Sequence, residues 1–221
     1  SNVLTISEML VRVNPINENS FAEINRVIDA GADMIMLPMW KSVAEVKEFL
    51  RIVNRRVKTT LLLETKEAVE CIDEVFTMGG FDEIHIGLND LHLSYGLTFM
   101  FELLANGTVE ALCDKFRKAG IPYGFGGIAR IGEGMLPAEK IIMEHYRLGS
   151  TRAILSRSFC NAEEIGDIRE IESIFSENMT RLRNYENSLG QKTNEEYRQN
   201  TESVKECVTR IAEKIKEKKA Q

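Results

Sequence analysis

A chain of 221 residues, 43% hydrophobic and 28% charged, is long enough to bury one large core, and about 200–250 residues is a common length for a single α/β barrel. Its formal net charge of −6 argues against nucleic acid as a bulk partner, because phosphate binding needs a basic face, but leaves room for a small anion in a local basic pocket. The four cysteines, Cys71, Cys113, Cys160 and Cys207, stand far apart with no CxxC pair, which weighs against a zinc site or disulfide framework and toward a reducing cytosol.

In chain order, Met9-Leu10-Val11-Arg12-Val13 reads as a strand closed by Asn14-Pro15. Phe21, Ile24, Val27 and Ile28 share helical spacing over 21–30, and Gly31 stops that helix. A strand over 33–37 ends at Pro38, and Val43, Val46, Phe49 and Leu50 mark a helix over 43–53. A strand over 59–63, a helix over 66–76 and a turn at Gly79-Gly80 lead into the strand around Ile84. Helices over 99–104 and 109–119 flank Asn106-Gly107; a short strand over 123–125 opens a Gly-rich loop; a helix over 137–146 precedes a last strand over 152–155.

Six alternating βα units predict a parallel sheet with every strand's carboxyl end on one face. Six is two short of a closed barrel, so either further strands belong to a segment outside this chain or the barrel is incomplete. An amphipathic helix from about 165 reaches Tyr185, and Gly190 breaks it. A long helix over 195–218 follows, carrying a narrow stripe of Val204, Val208, Ile211 and Ile215. Such a stripe docks either on the body or on a second subunit. The domain reading is a barrel over 1–185 and a C-terminal helical extension over 186–221, a possible oligomerisation element. No apolar run approaches the roughly 18 residues of a membrane span, and no signal peptide is visible. Ser1-Asn2 reads as a cloning remnant, leaving the natural start open.

Two strands stand out because each runs into a carboxylate. Leu61-Leu62-Leu63-Glu64-Thr65 is apolar and stops at Glu64; Glu83-Ile84-His85-Ile86-Gly87-Leu88-Asn89-Asp90 alternates and stops at Asp90. Strand carboxyl ends are where a barrel gathers catalytic groups, and paired carboxylates suit a hard divalent cation completed by water or substrate oxygens. The bland alternative is that Glu64 caps the next helix and Asp90 begins a turn.

Arg12 lies between Val11 and Val13. If these face the helices, Arg12 points into the barrel as a buried guanidinium. It then needs a bidentate substrate carboxylate, or a structural ion pair with an interior acid such as Glu64. The stretch Gly124-Phe125-Gly126-Gly127-Ile128-Ala129-Arg130 either offers backbone N–H groups and a cation to an anion or is a flexible turn. Arg157, between Ser156 and Ser158, poses the same choice. His85 reads as packed core, His92 as near the barrel mouth and His145 as peripheral. No lysine lies in the apolar strand cores, so an imine mechanism has no obvious nucleophile.

Four motifs, Val11-Arg12-Val13-Asn14-Pro15, Gly31-Ala32-Asp33-Met34-Ile35-Met36-Leu37-Pro38-Met39, Leu62-Leu63-Glu64-Thr65 and Ile84-His85-Ile86-Gly87-Leu88-Asn89-Asp90-Leu91, stand in an order and separation that resemble the HpcH/HpaI aldolase and citrate lyase β-subunit family. The resemblance covers roughly two thirds of the chain and lies close to aldolase-like members of polysaccharide gene clusters. It implies a TIM (β/α)8-type barrel of the phosphoenolpyruvate/pyruvate kind, here without its first two βα units. It implies Mg2+ or Mn2+ held by Glu64 and Asp90, and Arg12 binding the carboxylate or keto oxygen of a pyruvate-like 2-oxo acid. It implies a homo-oligomer, often with an exchanged C-terminal helix. This chain departs from the family in having no counterpart to the strands that precede the usual general base, so no base is named. Leu88 stands where a proline is usual, and the loops carrying Gly126, Gly127, Arg130 and Arg157 differ, which points to an extra anionic group on the substrate.

The expected protein is therefore a cytoplasmic, metal-dependent C–C lyase or aldolase acting through a pyruvate-like enolate. The alternatives are a phosphoenolpyruvate-type C–P or C–O bond enzyme, and a non-catalytic degenerate barrel that binds a small anion or a partner.

Overall fold

The computed structural model describes residues 6–161 and 163–219; Ser1-Asn2 lies outside the described residues. Six strands, β1 (Leu10–Arg12), β2 (Met34–Leu37), β3 (Lys58–Leu63), β4 (Glu83–Ile86), β5 (Tyr123–Ile128) and β6 (Arg152–Leu155), lie side by side in chain order, every pair parallel. The connections hold α1 (Ser20–Asp29), α2 (Val43–Val53), α3 (Lys66–Glu70), α4 (Ile72–Met78), α5 (Leu88–Ser94), α6 (Glu102–Ala105), α7 (Thr108–Ala119) and α8 (Ala138–Leu148). After the sheet come α9 (Ile168–Leu189) and α10 (Asn194–Lys219). Parallel neighbours joined by helical crossovers bring all six strand carboxyl ends to one rim. The sheet is a curled half-barrel with β1 and β6 as its edges.

The register sorts the side chains into two faces. Ile35, Leu37, Leu61, Leu63, Ile84, Ile86 and Phe125 point one way and join Val46 and Phe49 of α2, Val75 of α4, and Leu112 and Phe116 of α7 in the main core. Full burial of each such side chain contributes roughly 1.5–3 kcal/mol. Met34, Met36, Thr60, Leu62 and His85 point the other way, into the concave face, and are also buried. The helix α2 begins where its sequence says it should: the Ser42 hydroxyl accepts from the Glu45 amide while the Glu45 carboxylate accepts from the Ser42 amide. That reciprocal pair satisfies two donors a helix start leaves open.

Several expected elements change. The strand through Ile84 ends at Ile86, and Leu88 and Leu91, three apart and both buried, become the inner side of α5. The helix over 66–76 is two helices, α3 and α4, parted at Cys71. Gly126 and Gly127 are not loop: β5 continues through them to Ile128, with a register shift against β6 between Gly124 and Gly127. Strand pairing is backbone bonding and needs no side chain there. The stripe of α10, Val204, Val208 and Ala212 with Ile211 and Ile215, joins the main core and packs on α6 and α8, so it docks on the body of its own chain. The helix α9 runs unbroken past residue 185 to Leu189.

Candidate active site

Glu64 follows the last residue of β3 and is buried at 3% exposure. It does not cap α3. Thr65 does: its Oγ1 accepts from the Ala68 amide at 3.1 Å and donates to the Trp40 carbonyl at 2.7 Å. The Glu64 carboxylate instead accepts from the Met39 amide, N to Oε1 3.0 Å. Met39 stands just past Pro38 with φ 54° and a 40% exposed side chain.

Asp90 sits in the first turn of α5, not at a strand end, and lies near enough for its charge to act on Glu64. Arg12 ends β1 and is near enough for its charge to act on Glu64. The guanidinium is exposed rather than buried, because β1 is an edge strand with an open flank. Among the described residues Arg12 forms no ion pair, so the structural alternative of a bound interior acid is not realised.

These surroundings push the Glu64 carboxyl up from 4.5 to about 7. Burial is the largest cause and the neighbouring Asp90 charge adds to it; the Met39 amide and Arg12 act in the opposite direction. Two carboxylates thus share a small space, one of them buried, with no side-chain cation bonded to either among the described residues. That donor set fits a hard divalent cation, with the remaining ligands from water or substrate. Among the described residues no group of three or more His, Cys, Asp or Glu side chains gathers to hold a metal.

The other candidates make contacts of their own. Arg130 is committed to Glu133 at 3.0 Å. Arg157 is exposed in a 3-10 turn, Arg157–Phe159, after β6. The Gly126 carbonyl bonds the His85 ring at 3.2 Å, and Gly127 lies against Ser156 of the neighbouring chain segment. Among the described residues no hydrogen bond or ion pair ties Gly126, Gly127, Arg130 or Arg157 to the Arg12, Glu64 and Asp90 group.

Of the histidines, His85 is packed core as expected. His92 is buried with Nδ1 on the Leu88 carbonyl at 3.2 Å. His145 is not peripheral: it is 4% exposed and stacks on Phe125 with ring centroids 3.7 Å apart. A cavity of about 1180 Å3 opens at the far, amino-terminal end of the strands, lined in part by Lys47, Arg55, Asp33 and Asp82, away from the rim.

The Met39 amide and Gly87 belong to the site and were not singled out from sequence. A backbone donor leaves no mark on residue type. Gly87 is visible as a glycine after a strand, but its closeness to Glu64 is not.

A family model described as HpcH/HpaI aldolase/citrate lyase matches residues 3–113, a stretch that contains Arg12, Glu64 and Asp90. The chain is 26% identical over 147 residues to a hydroxypyruvate/pyruvate aldolase of Rhizorhabdus wittichii, in an alignment covering 51% of this chain and 59% of that protein. The chain therefore spans about three fifths of the length of the curated relative it matches.

Proposed function

The chain belongs to the HpcH/HpaI aldolase/citrate lyase family, and from that premise we propose that it serves as a metal-dependent C–C lyase or aldolase on a 2-oxo acid. The observation that carries the reading is the juxtaposition of Glu64 and Asp90 at the rim with Arg12 within electrostatic reach of Glu64. Glu64 and Asp90 are the residues that would hold Mg2+ or Mn2+. A bound divalent cation would supply Lewis-acid stabilisation of the negative charge that develops on the 2-oxo acid as its bond breaks. Arg12, exposed at the rim, binds the substrate carboxylate and orients it; its planar fork suits that group. The Met39 amide keeps one Glu64 oxygen occupied by a hydrogen bond, so the carboxylate cannot swing freely. The pyruvate-type substrate is supported by the name of the relative in Rhizorhabdus wittichii.

The same reading takes the six-stranded half-barrel as part of a TIM (β/α)8-type barrel. Arg130, paired with Glu133, and exposed Arg157 stay the candidate contacts for an additional anionic group on the substrate. A homo-oligomer stays part of the proposal, through surfaces other than the covered stripe of α10.

Pyruvate methyl-proton exchange in D2O, followed by NMR with Mg2+ present, tests the function. Exchange above the protein-free rate, lost in Arg12→Ala, is expected. Absence of exchange alongside intact metal binding would favour the non-catalytic barrel.

A further inference from the structure

Glu64 is held from two sides by residues with no ionisable group. On one side Met39 donates its amide to Oε1 at 3.0 Å. Its φ of 54° is one of three positive values at non-glycine positions among the described residues, the others being Asn54 and Arg55. Asn54 closes α2, where a left-handed residue is ordinary; Met39 closes no helix. A residue stays in that region only where its surroundings over-determine it. Here Pro38 precedes it, and Trp40 after it is buried at 1% exposure with its carbonyl bonded by Thr65. Because Thr65 adjoins Glu64, the loop over 38–40 is tied twice to the end of β3.

On the other side stands Gly87. Its φ of −80° is open to any residue, so conformation does not require glycine. Space does: a Cβ there would lie 2.8 Å from Glu64 Oε2, 2.9 Å from Glu64 Cβ and 3.3 Å from Leu62 Cδ1. The backbone leaving β4 presses directly on the Glu64 side chain.

We propose that the Met39 amide and Gly87 are positioning residues that together fix the Glu64 carboxylate against Asp90. This rests on the reading of Glu64 and Asp90 as cation ligands, but it concerns two residues that touch no cation. Both act through geometry, one by a directed N–H and the other by leaving room.

The test compares Mn2+ binding, by calorimetry and by the electron paramagnetic resonance line shape of the bound ion, in wild type and in Gly87→Ala, Met39→Val and Met39→Gly. A metal-free measurement accompanies it: the 13Cδ chemical shift of Glu64. Gly87→Ala and Met39→Val are expected to weaken Mn2+ binding about 10–100-fold, as loss of an outer partner commonly does, and to move the Glu64 resonance. The β-branched valine resists positive φ. Met39→Gly accepts that backbone and keeps the N–H, so it retains wild-type affinity and shift. Wild-type behaviour of both Gly87→Ala and Met39→Val would overturn the proposal, as would loss in Met39→Gly equal to that in Met39→Val. If the wild type binds no Mn2+, the cation reading fails, and the Glu64 shift alone then decides the positioning role.

Discussion

Glu64 and Asp90, 26 positions apart in the chain, stand side by side although one follows a strand and the other rides in the first turn of a helix. The helix start is a favourable place for Asp90, since the amino-terminal end of α5 carries partial positive charge. Glu64 has the Met39 amide and the Arg12 charge in its favour, but burial outweighs both. Glu64, the buried member of the pair, therefore resists ionisation.

That resistance sets a pH dependence. Glu64 has a folded-state pKa of about 7, raised from 4.5 chiefly by burial. The stability it contributes is fully present below 4.5 and lost as pH rises through about 7, because the folded protein binds the proton more tightly than the unfolded chain across that window. A cation must displace this proton, so Mg2+ affinity climbs with pH up to about 7 and then levels. Calorimetry in buffers of differing ionisation enthalpy is expected to show proton release near pH 6 that fades above pH 8, in line with this linkage.

The buried histidines push the other way at acid pH. Burial lowers His85 to about 4 and His145 to about 3. The unfolded chain protonates both near 6.5 while the folded one does not, so their stability is present above 6.5 and drains away as pH falls toward 4 and 3. Among the described residues His145 Nε2 has no hydrogen-bond partner, and Nδ1 bonds Ser150 Oγ at 2.8 Å. His145→Phe gives up about 1 kcal/mol of hydrogen bonding at neutral pH but keeps the stacking on Phe125, and its acid unfolding midpoint moves to lower pH. An unchanged midpoint in circular dichroism would count against this.

Arg12 separates function from stability. Its side chain is exposed and unpaired among the described residues. Arg12→Ala should leave the unfolding free energy within about 0.5 kcal/mol of wild type. Pyruvate affinity in the presence of Mg2+ is expected to weaken by about 1.5–3 kcal/mol, the usual worth of a hydrogen bond to a charged group. Chemical denaturation and ligand titration read the two quantities separately.

The docking of α10 has its own signature. Val204 and Val208 are buried against α6 and α8. Val208→Asp places a charge in that core at a cost of several kcal/mol, so α10 should lose hydrogen-exchange protection over 204–212 while β3 and β4 keep theirs. Uniform loss across the sheet would mean instead that the helix folds as one unit with it.

Much of the architecture was legible because period and punctuation agreed. The helix 43–53 appeared at those bounds, with Ser42 and Glu45 marking its start. What misled was local ambiguity. Ile86-Gly87-Leu88-Asn89 alternates like a strand, yet the buried Leu88 and Leu91 obey helical spacing. Gly126-Gly127 has the composition of a loop but pairs as strand. His145 looked peripheral because a lone polar residue on a helix usually faces water; here it falls beside Ile141, Ile142 and Leu148 on the inner side. In the candidate site, Arg12, Glu64 and Asp90 were legible as candidates by residue type and spacing. The exposure of Arg12 was not, since it depends on which strand lies at the sheet's edge. The Met39 amide and the space at Gly87 are backbone features that side-chain chemistry does not reveal.

The most direct measurement is Mg2+ and Mn2+ binding by calorimetry at about pH 8, where Glu64 is ionised, in wild type, Glu64→Gln, Asp90→Asn and the double variant. One divalent site in the wild type, weakened in each single variant and abolished in the double, is the expected result. Unchanged cation binding in the double variant would contradict the assignment of this pair as the metal centre.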